Sequence, residues 1–200
     1  MRKFPALVMI TLLTLVTLAT ANPVDPDPDQ MGIYFDDGAT LFDVPDWDPP
    51  RPINIYIMLT RPTCDQIWTW QCRVIWDQMG VFSGNWYING INFGDLTDPM
   101  NLVFKVMYPT PSTTTMATIL ATWSGYWTSG PGACFYITDI PDQDSFDDPS
   151  PIGYGDGTTF YQCGVSSGDQ ALPVASLGIG CSPIVENHEQ SWSTIKKMFR

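Results

Sequence analysis

Two pairs of neighbouring aromatic residues, Trp86-Tyr87 and Tyr126-Trp127, are the side chains best placed to contact a ligand. Each pair lies beside glycines, and in an extended chain adjacent side chains point to opposite faces. One ring of each pair must therefore point away from the core unless a loop covers it. An exposed ring can stack on a sugar, so the four residues are candidate glycan contacts, although aromatic rings more often supply core packing.

The acidic residues favour turns over catalysis. The only histidine, His188, lies near the C-terminus, which argues against Ser-His-Asp or Cys-His chemistry. The acids Asp142, Asp144, Asp147 and Asp148 stand among prolines and other turn-forming residues, where Asp bonds its own backbone. We therefore expect no catalytic residue, no cofactor and no dedicated metal site. A weak structural calcium site in the loop from Asp139 to Asp156 is the one alternative, since oxygen ligands are plentiful there.

Five cysteines are the remaining reactive side chains: Cys64, Cys72, Cys134, Cys163 and Cys181. No two of them have the two-residue spacing of a zinc site. In an exported chain we expect two disulfides and one free thiol, with the pairing left open by the sequence. Cys72 is the cysteine that we expect to point inward.

Charge and composition exclude one class of partner. The formal net charge is −12, and 19 of the 21 acidic residues are Asp. A chain this acidic repels phosphate backbones, so nucleic acid is not an expected partner. With 16 Gly and 18 Pro, the composition is typical of a loop-rich β protein.

The N-terminus has the pattern of a secretory signal. A basic start is followed by the apolar run 6–18 and by Ala19-Thr20-Ala21, so we expect cleavage after Ala21. The apolar run is short for a membrane anchor, and no later run is long enough to span a membrane as a helix. The predicted location is extracellular, at the cell surface or in the periplasm.

The rest of the chain predicts one domain between two different ends. Residues 22–30 form a Pro-Asp linker, 31–184 the domain and 185–200 a tail. In that tail Trp192, Ile195 and Phe199 have helical spacing. The tail is either a short helix docked on the domain or an exposed signal for a partner.

The segment Ile67–Trp76 predicts how the domain is built. Its alternation places five side chains on one face, namely Trp68, Trp70, Cys72, Val74 and Trp76. Only a second layer can shield so large an apolar face, which indicates a sandwich. Three further segments alternate similarly. Ile53, Ile55, Ile57 and Leu59 share a face that should meet the Trp face, and Leu102, Phe104, Val106 and Tyr108 are expected to point inward. The third segment has Ala117, Ile119, Ala121 and Trp123 on one side. We expect an all-β, antiparallel β-sandwich of about 7–9 strands.

Three short segments carry a resemblance: Gly-Ile-Tyr-Phe-Asp at 32–36, Trp-Gln-Cys-Arg-Val at 70–74 and Ser-Trp-Ser-Thr-Ile-Lys-Lys-Met-Phe-Arg at 191–200. Together with the export signal they are similar to a group of uncharacterised exported bacterial proteins that end in Trp-Gly-x-Ile-Lys-x-Leu-Tyr-Arg. Here Ser193 and Phe199 replace the Gly and the Tyr of that pattern. The resemblance implies an immunoglobulin-like or cohesin-like sandwich and implies no chemistry.

Two functions follow as hypotheses. The first is an exported, non-enzymatic module for protein-protein or cell-surface interaction. The second is a carbohydrate-binding module that uses exposed Trp and Tyr. The exposure of Trp86, Tyr126 and Trp127 separates them, because a glycan surface requires rings that reach solvent.

Overall fold

A computed structural model describes residues 25–45, 48–141, 150–178 and 180–181. Within these ranges the protein is built from strands, with one 3-10 turn at Pro99–Asn101. The strands are β1 (Gln30–Tyr34), β2 (Asp43–Val44), β3 (Arg51–Thr60), β4 (Gln66–Gln78), β5 (Val81–Ile88), β6 (Ile91–Asn92), β7 (Leu102–Thr113), β8 (Ala117–Ser129), β9 (Ala133–Thr138), β10 (Gly153–Gly155), β11 (Phe160–Gln162), β12 (Gly164–Val165) and β13 (Ala175–Leu177). Seven of them have five residues or more. The described ranges contain no helix with the length and hydropathy to cross a membrane.

The strands form the two sheets of a β-sandwich, as predicted. Sheet A has the order β12-β1-β3-β8-β5. Sheet B has eight strands around β4, which pairs with β7 along one side and with β10 and β9 along the other. Two pairs of named strands, β1–β12 and β13–β2, are parallel, and all the other pairs are antiparallel. The predicted antiparallel arrangement therefore holds, apart from these two short parallel pairs.

Alternation correctly predicts the two strands that carry most of the aliphatic core. On β3, the residues Ile53, Ile55, Ile57 and Leu59 are all buried. On β7, Leu102, Phe104, Val106 and Tyr108 are buried in the same way. Strands with this period place one whole face in the core, which is why the pattern is informative here.

Two strands depart from the predicted alternation because each contains a bulge. In β4 the register with β7 shifts between Ile67 and Thr69, so Ile67 turns inward and Trp68 is 36% exposed. Trp70, by contrast, is 1% exposed. In β8 the register with β3 shifts opposite Ile57 and Met58, where Leu120 is the extra residue. A bulge moves the following side chains to the other face.

The bulges correct three of the predicted positions. Trp68 is exposed, and Ile67 takes its place in the core. Ala117 and Ile119 lie on the opposite side of β8 from Ala121 and Trp123, and Leu120 is buried instead of Ile119. The remaining inward residues of the Ile67–Trp76 segment are buried as predicted, and Cys72 among them is fully buried.

Trp76 lies at the centre of an aromatic cluster that joins the two sheets. Its ring meets Trp123 and Phe82 of sheet A with centroid distances of 5.0 and 5.3 Å. It also lies 5.3 Å from Phe135 in sheet B and 6.3 Å from Trp86. Because Phe82 and Trp86 face this cluster, Ser83, Asn85 and Tyr87 on the other face of β5 point outward.

The described residues include only part of the predicted segment boundaries and one of the two predicted disulfides. Gln30, the last residue of the predicted Pro-Asp linker, begins β1, and the Asp29 amide donates to the Arg61 carbonyl at 3.2 Å. One disulfide, Cys134–Cys181, is present, while Cys64, Cys72 and Cys163 are thiols rather than the single free thiol expected. The predicted signal segment, the tail at 185–200 and the acids Asp142, Asp144, Asp147 and Asp148 lie outside the described residues.

Candidate functional site

The outer face of sheet A carries three tyrosines around a polar centre. In β5 and β8, Tyr87 lies opposite Thr122, and Asn85 lies opposite Ser124. The same β8 residues lie opposite Tyr56 and Asn54 of β3. We call the set Tyr56, Tyr87, Tyr126, Asn54, Asn85 and Ser124 the tyrosine platform. Since paired residues of neighbouring strands point to the same side, all six side chains lie on one face.

The platform holds its rings in solvent at well separated points. Tyr87 is 62% exposed and Tyr126 is 56% exposed, whereas Tyr56 is half-buried. Tyr126 lies four residues beyond the partner of Tyr87 and one strand away. Strand geometry therefore separates the two residues by roughly 14 Å. A ligand that touches both rings must be an extended molecule.

The centre of the platform offers neutral hydrogen-bonding groups. The Ser124 hydroxyl donates to Asn54 Oδ1 at 2.8 Å, which fixes the orientation of that amide. Asn85 is exposed beside them. The six platform residues and the three that complete their rows, Pro52, Ser83 and Thr122, are all uncharged. Amides and hydroxyls both donate and accept, so this centre suits a ligand rich in hydroxyl groups.

The aromatic pairs divide between the two faces, as adjacent strand residues must. Tyr87 and Tyr126 point outward, and their neighbours Trp86 and Trp127 point inward. Trp127 is 1% exposed, stacks on Phe82 and donates its indole N–H to the Ser129 carbonyl at 2.9 Å. This buried position corrects the prediction that Trp127 is a glycan contact.

Trp86 lies at the border between the core and a cleft. Its ring packs edge to face against Phe104 with centroids 5.2 Å apart, yet the residue stays partly exposed. The cleft has a volume of about 400 Å³ and opens between the sheets beside the edge strand β5. Trp76, Trp86 and Trp123 line it together with the amides of Gln78 and Asn85. Asn85 thus borders both the cleft and the platform.

A second exposed surface, on sheet B, is apolar. Ile91 of β6 lies opposite Met107 of β7, and Phe93 follows two residues after Ile91. All three side chains are exposed, Phe93 to 65%. We call these three residues the apolar patch. Lys105 lies exposed opposite Phe93 at the border of the patch, and adjoining exposed apolar side chains of this kind are typical of a protein contact.

Several of the acids act as turn acceptors, which is the role predicted for the Asp residues. Burial acts to raise the pKa of Asp36, but the carboxylate accepts the Thr40 hydroxyl at 2.6 Å and the Leu41 and Thr40 amides at 2.7 and 2.9 Å, and these hydrogen bonds lower the pKa. The Asp156 carboxylate accepts from the Thr158 hydroxyl and from two backbone amides, which lower its pKa as well. A general acid needs a raised pKa, and these carboxylates are instead held ionised.

The predicted calcium loop falls mainly outside the described residues. At its start, Asp139 Oδ1 accepts the Ile152 amide at 2.9 Å, and at its end Asp156 is bonded within its own turn. No group of three His, Cys, Asp or Glu side chains with metal-ligand geometry occurs in the part of the chain that the structure describes. Calcium binding stays a prediction.

The platform contains residues that the sequence prediction missed: Asn54, Tyr56, Asn85 and Ser124. A signal for two of them was available, because the inward Ile53, Ile55 and Ile57 leave Asn54 and Tyr56 on the outer face. The pairing of β5 and β3 on either side of β8 joins residues far apart in the chain. Residue alternation does not encode that pairing.

The chain matches no protein-family model, no curated protein and no solved structure. The resemblance to exported bacterial proteins therefore stays a prediction, and the function must be argued from the surfaces of this molecule.

Proposed function

We propose that this protein is an exported, non-enzymatic binding module and that its tyrosine platform binds neutral glycan chains. The observation that carries the proposal is that two widely exposed rings, Tyr87 and Tyr126, lie on one sheet face among uncharged platform residues. The two rings offer flat apolar surfaces on which the face of a ligand can stack.

The chemistry of a sugar chain fits this face. The C–H faces of a pyranose stack on aromatic rings, and its hydroxyls bond to amides and hydroxyls. The platform supplies rings at its margins and Asn54, Asn85 and Ser124 between them. The separation of roughly 14 Å between Tyr87 and Tyr126 selects a chain of several sugar units over a single sugar.

The rigid support of the platform favours binding further. Trp123 lies on the inner face of β8, between the outward-facing Thr122 and Ser124. There it packs against Trp76 of the opposite sheet. Rings held on packed strands lose little conformational freedom when a ligand binds, which reduces the entropic cost.

Two of the described acids support the non-enzymatic part of the proposal. Asp36 and Asp156 accept several hydrogen bonds within their own turns and have lowered pKa values. Such carboxylates stabilise turns and cannot protonate a leaving group at neutral pH.

Export is supported by the disulfide. Cys134 and Cys181 are bonded, and such bonds form and persist in oxidising compartments outside the cytosol. The predicted signal at 1–21 agrees with that environment, and a cell-surface, extracellular or periplasmic location follows as part of the proposal.

A second candidate function, contact with another protein, is favoured by the apolar patch. Ile91, Phe93 and Met107 are exposed together on sheet B, away from the platform on sheet A. An apolar surface of this kind fits the centre of a protein interface better than it fits a hydroxylated sugar.

The test is binding of the purified protein to an array of immobilised neutral hexasaccharides of glucose, mannose and xylose, with hyaluronan oligosaccharides as an anionic comparison. We expect binding to at least one neutral series that persists in chelator. Binding only to the anionic series, or to no glycan at all, would reject the platform as a glycan site.

A further inference from the structure

We propose that Cys64 and Cys163 form a second disulfide when the protein is oxidised, with Cys72 left as the free thiol. This pair is a covalent modification site at the edge of the sandwich, separate from the tyrosine platform. The inference is independent of the proposed glycan function.

Asp29 brings the two cysteines together. Its carbonyl accepts the Gly164 amide at 3.1 Å, and its carboxylate accepts the Thr63 amide at 2.8 Å and the Thr63 hydroxyl at 3.0 Å. Cys163 and Cys64 are the chain neighbours of these two bonded residues. Each cysteine is thus one residue away from a group hydrogen-bonded to the same aspartate.

Both side chains contact the main hydrophobic cluster. Cys163 is buried within the main hydrophobic cluster, and Cys64 is a partly exposed residue packed against that cluster. Burial raises the pKa of Cys163 above its ordinary value, and the nearby Asp29 and Cys64 raise it further.

Cys72 is too far away to be the partner of Cys163. The register of β10 places Gly153 opposite Gln71 on one side and opposite Gln162 on the other. By continuation, Ile152 lies between Cys72 and Cys163, and its carbonyl accepts the Cys163 amide at 2.9 Å. Two strand spacings separate the cysteines by roughly 9–10 Å, and disulfides require Cα atoms within about 7 Å.

The oxidation requires an electron acceptor, for which a small disulfide such as oxidised glutathione is sufficient. The more exposed Cys64 attacks the glutathione disulfide as a thiolate and forms a mixed disulfide, with release of one glutathione thiol. The Cys163 thiolate then attacks the Cys64 sulfur and releases the second glutathione. Both cysteine protons pass to solvent, and the two electrons reduce glutathione disulfide to two thiols.

The test counts and maps thiols in the full chain after incubation with oxidised glutathione. The protein is denatured without reductant, alkylated and weighed, and then cut before Asp residues. This cleavage separates Cys64 (peptide 48–64), Cys72 (65–76) and Cys163 (156–168). Cys72→Ser is prepared alongside.

We expect one alkylated cysteine in the wild type, none in Cys72→Ser, and a linked pair of the peptides 48–64 and 156–168. Three alkylated cysteines in the wild type, or a bond from Cys72 to either of the other two, would overturn the proposal. Peptide mapping of the wild type alone decides the question if Cys72→Ser does not fold.

Discussion

Trp76 of β4 and Trp123 of β8 meet edge to face across the core, with ring centroids 5.0 Å apart and ring planes at 89°. This contact joins the two sheets directly beneath the tyrosine platform. Because Thr122 and Ser124 flank Trp123 in the chain and point outward, the packing of this indole fixes the position of the platform centre.

The first prediction concerns this contact. Replacing the fully buried Trp76 by Ala removes the ring that meets Trp123, Phe82 and Phe135. We expect the free energy of unfolding to fall by about 3–5 kcal/mol, as for other buried Trp truncations. Urea unfolding followed by circular dichroism measures the change.

The matched control is Trp68→Ala on the same strand. Because Trp68 is 36% exposed and lies at a bulge, its loss should cost much less than that of Trp76. Equal losses for the two variants would contradict the assignment of Trp76, rather than Trp68, to the core.

The second prediction concerns two facing glycines, Gly84 of β5 and Gly125 of β8. A Cβ atom at Gly84 would lie 2.5 Å from the Ser124 carbonyl oxygen and 2.6 Å from the Trp123 ring. We therefore expect Gly84→Val to push β5 away from β8, to lower the unfolding free energy by about 1–3 kcal/mol and to weaken glycan binding, although no platform side chain changes.

Gly180→Val is the control for this change, because nothing lies within 4 Å of a Cβ atom built there. Thermal unfolding and binding to the neutral oligosaccharide found on the array measure both effects. A Gly84→Val protein with wild-type stability and binding would show that β5 and β8 need not approach so closely.

The third prediction concerns alkaline pH. Burial raises the pKa of Tyr34 to about 12 from its ordinary value of 10.0. The unfolded chain therefore loses this proton first, so the neutral tyrosine stabilises the fold below pH 10 and this stability is lost as pH rises from about 10 to about 12. The two-unit difference corresponds to at most about 2.7 kcal/mol.

Tyr34→Phe removes this titration, because Phe does not ionise. We expect the variant to lose less stability than the wild type between about pH 9 and about pH 11, measured by urea unfolding. Parallel losses in the two proteins would contradict the contribution of Tyr34. Tyr108, whose pKa burial also raises to about 12, provides a second test as Tyr108→Phe.

The fourth prediction concerns the disulfide between Cys134 and Cys181, which are 47 positions apart. Replacing both residues by Ser releases this constraint on the unfolded chain, and we expect a loss of about 2–4 kcal/mol. Urea unfolding of the oxidised proteins compares them. An unchanged free energy of unfolding would mean that the bond does not stabilise the sandwich.

Much of the core was predictable from the sequence because alternation is a direct consequence of strand geometry. Ile53, Ile55 and Ile57 are buried as predicted, and so are Trp70 and Trp76. The bulges at Trp68 and Leu120 were not predictable, because a bulge depends on the register of a neighbouring strand and leaves no mark in the alternation itself.

The site was predictable only in part. Adjacent aromatics beside glycines identify Tyr87 and Tyr126, since one ring of each pair must leave the core. The sequence did not show which ring of each pair points outward, and it did not show that both lie on one face. That relation depends on the pairing of β5 with β8, which sets Tyr87 opposite Thr122 and Tyr126 opposite Ser83.

The most direct test of the platform is calorimetric titration of the neutral hexasaccharide that binds best on the array. It compares the wild type with Tyr87→Ala, Tyr126→Ala and Phe93→Ala. Phe93 is 65% exposed against 62% for Tyr87, so Phe93→Ala controls for the loss of an exposed ring on the other sheet. We predict that each tyrosine change weakens binding about tenfold, or ~1.4 kcal/mol, and that the Phe93 change leaves binding unaltered. Wild-type affinity in both tyrosine variants, or an equal loss in Phe93→Ala, would contradict glycan binding at the tyrosine platform.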